Sequence, residues 1–168
     1  TLKPPFRLAA GASAAALDAA IAALAARLAP AQAPGLVPDA ALGFVALRPA
    51  GPCPAVDAVA AACVTGLDTF RAPPDSAELA RRHAAGLDAR GAALLAAWGY
   101  PHVLDRFQFH VTLTGRVEAD EAARLMPRIR ARFAPHLGAG FTLAQLCLFG
   151  DPGAGGAFRL LRRHALNG

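Results

Sequence analysis

The sequence predicts a fold of mixed α-helices and β-strands, because two kinds of hydrophobic periodicity recur along it. In residues 107–114, apolar and polar residues alternate strictly, which is typical of a half-buried strand. In residues 14–29, large apolar residues recur every three or four positions, as they do on one face of a helix. Residues 141–166 contain two apolar runs separated by a glycine-rich turn, which predicts an antiparallel hairpin.

Proline, glycine and short polar residues give the boundaries of the elements. The predicted elements are, in order, an extended segment at Thr1–Leu8 that ends a strand, a helix over 14–29 capped by Ser13, a short extended piece at Leu36 and Val37, a strand over Leu42–Leu47, a helix opened by Pro52 and Pro54 that reaches Phe70, a helix over 75–85, a helix from Asp88 to Trp98, a strand over 107–114 ended by Gly115, a helix from Glu118 to Phe133 interrupted at Pro127, and strands over Phe141–Phe149 and Ala157–Leu166. Residues 71–106 are predicted to be a helical insertion between two sheet-forming parts.

Length and composition limit the class of protein. A chain of 168 residues suits one domain. Its net charge of +5 makes a small anionic substrate or a nucleic acid a candidate partner. It contains no apolar, uncharged run of about 20 residues, so we expect no membrane partner. Three cysteines without a Cys-x-x-Cys pair argue against a disulfide framework and a zinc ribbon, and reduced thiols fit a cytoplasmic location.

The polar face of the strand over 107–114 carries groups suited to catalysis. His110 and Thr112 are expected to lie about 6.5–7 Å apart along one face, while Phe109, Val111 and Leu113 face a core. An imidazole can transfer a proton near neutral pH, and a hydroxyl can donate to an anionic oxygen. His-x-Thr is a short motif, so a solvated strand with small polar residues remains an alternative.

No metal site or cofactor is predicted. The remaining histidines are His83, His102, His136 and His164, and no two have the spacing of four residues that helical zinc sites use. The glycines of residues 150–156 do not match a dinucleotide-binding or P-loop fingerprint.

Two segments carry a resemblance to a known family. Residues Phe107–Arg116 read Phe-Gln-Phe-His-Val-Thr-Leu-Thr-Gly-Arg, and Thr1–Leu8 read Thr-Leu-Lys-Pro-Pro-Phe-Arg-Leu. These segments resemble the paired motifs of the two-histidine (2H) phosphoesterases, in the branch associated with bacterial phosphonate-utilisation operons. Phe70–Pro74, Glu78–Arg82 and Trp98–Pro101 are also similar to that branch, so the resemblance spans essentially the whole chain.

The resemblance implies an α+β fold of two pseudo-symmetric lobes, in which antiparallel sheets line a central cleft and helices lie outside. Residues 1–168 would form a single two-lobed domain, with a helical insertion at about 71–106 and without the first strand and helix of the family. The family's first histidine stands two positions before the threonine that Thr1 matches. We therefore expect a histidine there in the native protein, and we expect this chain alone to be inactive.

The resemblance also implies a function: metal-independent hydrolysis of a small cyclic or sugar-linked phosphodiester, in phosphonate metabolism. One imidazole would take a proton from water while the other protonates the leaving oxygen. The implied catalytic residues are His110, Thr112 and Thr1. The positions of four further residues make them candidates for binding substrate: Lys3 shares a strand face with Thr1 if that strand continues, Thr114 and Arg116 continue the row from Thr112, and Tyr100 precedes the strand. A structural turn remains the alternative for Tyr100. The partner would be a small phosphorylated substrate, without cofactor or metal.

Two other functions remain open. One is an RNA-end enzyme, a 2′,3′-cyclic phosphodiesterase or a ligase-like enzyme, for which the basic run Arg124, Arg128, Arg130 and Arg132 would bind nucleic acid. We rank nucleic acid behind a small substrate, because at helical spacing these arginines spread over a solvated surface. The other is a non-catalytic anion-binding protein on the same scaffold. The sequence indicates neither the substrate nor the oligomeric state.

Overall fold

The structure is a computed structural model that describes residues 1–41, 43–76, 79–80, 86–153 and 155–168. The chain forms two compact units. Unit 1 comprises Thr1, 31–57 and 108–143, and unit 2 comprises 2–30, 58–107 and 144–168. Helices and antiparallel strands occur together in this chain, so the predicted α+β class is confirmed.

The described residues form α-helices and β-strands whose bounds are as follows. The helices are α1 (Ala14–Ala25), α2 (Pro54–Gly66), α3 (Ala89–Trp98) and α4 (Ala119–Phe133), and the strands are β1 (Ala31–Ala33), β2 (Leu36–Asp39), β3 (Phe44–Pro49), β4 (Val111–Arg116), β5 (Phe141–Leu143), β6 (Gln145–Gly150) and β7 (Arg159–Ala165). Short 3-10 helices lie at Asp68–Phe70, Leu104–Arg106 and Ala134–His136.

The helix caps follow the local sequence signals. The Ser13 hydroxyl accepts a hydrogen bond from the Ala16 N–H at 3.1 Å and begins α1. The Asp88 carboxylate accepts one from the Gly91 N–H at 2.8 Å and begins α3. Gly99 ends α3 in the left-handed conformation, at φ 73°. The predicted starts of α1 and α3 are therefore confirmed.

In unit 1, β2, β3 and β4 form an antiparallel sheet in that order, and β1 pairs with β5 in a second antiparallel sheet. The central strand β3 is buried at Val45, Ala46 and Leu47. Helix α4 contacts β2 and β3. Its less exposed residues are Ala122, Leu125, Met126, Ile129 and Phe133. Their spacing of three or four residues is the pattern of an amphipathic helix.

The boundaries and burial of β4 differ from the prediction. The ladder begins at Val111 rather than at residue 107, and it continues through Gly115 to Arg116. Val111 is 43% exposed, so its predicted burial is wrong, whereas Phe109 and Leu113 are half-buried. The physical reason is that β4 is the edge strand of the described sheet.

In unit 2, β6 and β7 form the predicted hairpin, and α1 packs against both strands. Leu17, Ile21 and Leu24 are the buried face of α1. The predicted single strand over Phe141–Phe149 is instead two strands, since β5 pairs with β1 whereas β6 pairs with β7.

Some further predictions are wrong or lie outside the described residues. Thr1–Leu8 contains no strand and has only an isolated bridge between Leu8 and Arg71. Helix α4 runs through Pro127 as one helix, so the predicted interruption there is wrong. The predicted helix over 75–85 falls largely on residues 77, 78 and 81–85, which lie outside the described residues, as do Leu42 and Ala154. In the part of the chain that the structure describes, no helix has the length and apolar composition that a membrane crossing requires.

Candidate active site

His110 has a defined hydrogen-bonding state. Its Nδ1 lies 2.8 Å from the main-chain carbonyl oxygen of Gln108. A carbonyl oxygen only accepts, so Nδ1 carries the proton in this contact. A neutral imidazole then has its lone pair on Nε2, which makes Nε2 the atom able to take a proton.

Thr112 shares a sheet face with His110. Thr112 lies directly opposite Ala46 of β3, and Phe44 lies two residues before Ala46 on the same face. The ring of Phe44 packs against that of His110, with centroids 5.6 Å apart. Ala46 is small, so the two rings can meet above it. The Thr112 hydroxyl is exposed and makes no hydrogen bond to another described residue.

Thr114 does not continue this polar row. Between the pairs Ala46–Thr112 and Phe44–Arg116, the register of β4 shifts, as at a β-bulge. The Thr114 hydroxyl accepts from the Val45 N–H at 2.9 Å and donates to the Gly115 carbonyl at 2.8 Å. Its one proton is therefore bound within the sheet, and a substrate-binding role for Thr114 would require that bond to break.

Arg116 and Thr1 are exposed residues of unit 1, the unit that contains His110 and Thr112. Arg116 lies opposite Phe44 at the far end of β4, four residues beyond Thr112. Its guanidinium forms no ion pair with another described residue. The predicted roles of both residues remain predictions.

Lys3 lies in a different environment from the one predicted. Its ammonium donates to Asp68 and to the Val64 carbonyl, each at 3.0 Å, and its side chain is 8% exposed. Since Thr1–Leu8 is not a strand, Lys3 and Thr1 share no strand face. Lys3 belongs to unit 2, where it pairs with a carboxylate.

Tyr100 also belongs to unit 2. Its ring meets that of His102 edge-on at 5.6 Å, and it packs against a buried cluster of Val64, Leu94 and Val103. This environment gives the Tyr100 ring a packing role in unit 2. Its predicted role in binding substrate remains a prediction.

The sequence did not predict a role in the site for the residues whose contacts lead to His110, which are Asp39, Arg48 and Gln108. Arg48 lies on the Ala46 face of β3 and donates to Asp39 at 3.1 Å and to the Gln108 side chain at 3.5 Å. The available signal was Arg48 itself, the only charged residue in the apolar segment Phe44–Pro49. Its partners could not be predicted, because Gln108 is 60 residues away in sequence.

The arrangement supplies two groups that can act on an anionic substrate, a proton acceptor and a hydrogen-bond donor. Nε2 of His110 can accept a proton, and the Nδ1 bond to Gln108 persists and stabilises the imidazolium that forms. The Thr112 hydroxyl can donate to a non-bridging oxygen without adding charge. Among the described residues, no group of three or more His, Cys, Asp and Glu side chains could hold a metal ion.

A comparison with protein families matches residues 1–159 to DUF1045, a family described as protein of unknown function. The chain belongs to the DUF1045 family. Two curated proteins that this DUF1045 chain resembles are both named ribose 1,5-bisphosphate phosphokinase PhnN. The one from Laribacter hongkongensis (strain HLHK9) is 39% identical over 163 residues, which cover 96% of this chain and 37% of the relative.

The second relative, from Janthinobacterium sp. (strain Marseille), is 47% identical over 73 residues, which cover 44% of this chain and 16% of that protein. The DUF1045 chain therefore spans little more than a third of the length of the relative from Laribacter hongkongensis, although that alignment covers nearly the whole chain. No solved structure matches the chain.

Proposed function

We propose that this DUF1045 chain carries one half of a two-histidine phosphodiesterase site, which hydrolyses a small cyclic or sugar-linked phosphodiester in phosphonate metabolism. The observation that carries the proposal is the His110 imidazole, whose Nε2 is left as a proton acceptor on the sheet face that also carries Thr112.

In the proposed reaction, a water molecule attacks phosphorus and one P–O ester bond breaks. One imidazole takes the proton of the attacking water, and a second imidazole gives its proton to the leaving oxygen. His110 supplies one of these groups. The second is the histidine that we expect two positions before Thr1. The Thr112 hydroxyl donates to a non-bridging oxygen as negative charge develops.

The relatives support a phosphorylated sugar as the substrate class. Their printed name is that of a kinase of ribose 1,5-bisphosphate. The chain matches only 37% of the relative from Laribacter hongkongensis. It contains no Gly-x-x-x-x-Gly-Lys-Ser/Thr segment, and Lys3 is its one lysine. A P-loop kinase cradles phosphates with that loop and its lysine. We therefore assign the kinase name to the part of those relatives that lies outside the match.

The test is phosphorus NMR of the full-length protein with a panel of phosphodiesters. The panel holds ribose cyclic phosphates, sugar-linked phosphodiesters, an RNA ending in a 2′,3′-cyclic phosphate, and ribose 1,5-bisphosphate with ATP. We expect turnover of a small phosphodiester to a phosphomonoester, and we expect the same rate with a chelator because the proposed proton transfers use imidazoles. Turnover of the RNA end alone would support the RNA-end enzyme instead, and binding without turnover would support the anion-binding protein.

A further inference from the structure

We propose that Arg48 is a positioning residue that fixes the proton-bearing nitrogen of His110 by acting through Gln108. This inference rests on the proposed function for its effect on rate, but the chain of contacts is independent of it. Asp39, Arg48, Gln108 and His110 all belong to unit 1.

The contacts form a continuous series from β2 to His110. The Arg48 Nη1 donates to the Asp39 carboxylate at 3.1 Å, and its Nη2 donates to the Gln108 side-chain oxygen at 3.5 Å. The Gln108 main-chain carbonyl then accepts from His110 Nδ1 at 2.8 Å. Asp39 is itself held, since its other oxygen accepts from the Ala41 N–H at 2.6 Å.

Gln108 needs such an anchor because the strand ladder does not hold it. The ladder of β4 begins at Val111, so residue 108 lies outside the regular pairing with β3. Its neighbour Phe109 packs against Phe141, with ring centroids 5.4 Å apart, which holds one side of the segment. The bond from Arg48 holds the other side and keeps the Gln108 carbonyl directed at His110.

Arginine suits this position better than lysine. Its planar guanidinium presents donors in a fixed fork, so one side chain can bond Asp39 and Gln108 in two directions. A lysine is a single point donor on a flexible stem and cannot hold the same geometry. The Arg48 side chain is 30% exposed, so the series lies at the surface of the unit.

The first readout is the tautomer of His110, measured by nitrogen NMR on histidine-labelled full-length protein. We expect the Nδ1–H form to dominate in the wild type and to lose its dominance in Arg48→Met and in Gln108→Ala. Arg132→Met, which removes an exposed charge from α4, is the matched control and should leave the tautomer unchanged. Gln108 is exposed, so Gln108→Ala keeps the test available if Arg48→Met does not fold.

The second readout is a double-mutant cycle on the substrate that the full-length protein cleaves. We expect Arg48→Met and Gln108→Ala each to lower kcat about tenfold, which is a fraction of a full acid–base contribution, with little change in KM. The double variant should be no slower than either single variant. Arg48→Lys should not restore the rate.

Additive losses with a raised KM would mean that Arg48 binds substrate directly, and they would overturn the proposal. An unchanged tautomer in both single variants would overturn it as well. A changed tautomer in a protein that cleaves no phosphodiester would leave the positioning role standing and contradict the proposed function instead.

Discussion

Lys3, Asp68 and Arg71 form a partly buried charge cluster in unit 2. The Arg71 guanidinium donates twice to Asp68 at 2.8 Å and once to the Ala97 carbonyl, so it links the cluster to the end of α3. Burial alone would raise the pKa of Asp68, but the hydrogen bonds from Arg71 and Lys3 outweigh burial and lower it below its ordinary value of 3.8. Burial lowers the pKa of Lys3, and the bond to Asp68 opposes this effect.

A lowered pKa makes the contribution of Asp68 to stability depend on pH. The contribution is fully present above pH 3.8 and is lost as the pH falls further, through the lowered folded-state pKa. We expect Asp68→Asn to cost about 2 kcal/mol of unfolding free energy at pH 7, as bonds to charged groups do. Urea unfolding of the wild type and of Asp68→Asn at pH 7, 5 and 3 measures this loss of unfolding free energy.

The cost of Asp68→Asn should be equal at pH 7 and 5 and smaller at pH 3. Lys3→Met is the companion variant, and it should cost less because Asp68 keeps Arg71. A cost that grew towards pH 3 would contradict the role given to this carboxylate.

Strand β4 offers a matched pair of threonines for separating chemistry from folding. The Thr112 hydroxyl bonds to no other described residue, whereas the Thr114 hydroxyl accepts from the Val45 N–H at the register shift. We expect Thr112→Val to change stability by less than about 0.5 kcal/mol. Thr114→Val should cost about 1–2 kcal/mol, because it leaves the Val45 N–H without its acceptor.

The rates of phosphodiester cleavage should be affected in the opposite order, with the larger loss at Thr112. Thr112→Val should lower the rate of phosphodiester cleavage in the full-length protein, by less than the loss of an imidazole would. Thr114→Val should keep the wild-type rate below its melting temperature. Thermal unfolding and phosphorus NMR on both variants check this, and equal rate losses at the two positions would contradict the distinction.

The elements that the sequence predicted well are those whose signals are local. Ser13, Asp88 and Gly99 cap helices through bonds to residues three or four positions away. The local sequence was therefore enough to predict where α1 and α3 begin. The division of 141–149 into β5 and β6 depends on which distant strands are available for pairing, and no local signal shows it.

In the candidate site as well, local features could be predicted from the sequence and long-range contacts could not. Alternation along one strand was enough to place His110 and Thr112 on one face. It could not show that Thr114 bonds across to Val45, 69 residues away, or that Lys3 pairs with Asp68, 65 residues away. Both of these contacts are long-range, and each occupies a group that the sequence had assigned to substrate.

At the scale of the whole molecule, the chain leaves and re-enters each compact unit. Unit 1 draws on Thr1, 31–57 and 108–143, and unit 2 on the segments between and after them. Both units are therefore built from non-contiguous segments, which neither length nor composition indicated. The proposed chemistry also requires a second imidazole besides His110.

The central claim is that His110 transfers a proton in phosphodiester hydrolysis, and its most direct test is the pH dependence of the His110→Ala variant. The substrate is the phosphodiester that the full-length wild type cleaves best, and phosphorus NMR follows it. We expect kcat/KM of the wild type to pass through a maximum with pH, because one imidazole must be neutral and its partner protonated. We expect His110→Ala to lose at least about a hundredfold in rate and one limb of the profile at temperatures where the variant stays folded. Wild-type turnover and an unchanged profile in His110→Ala would contradict the account.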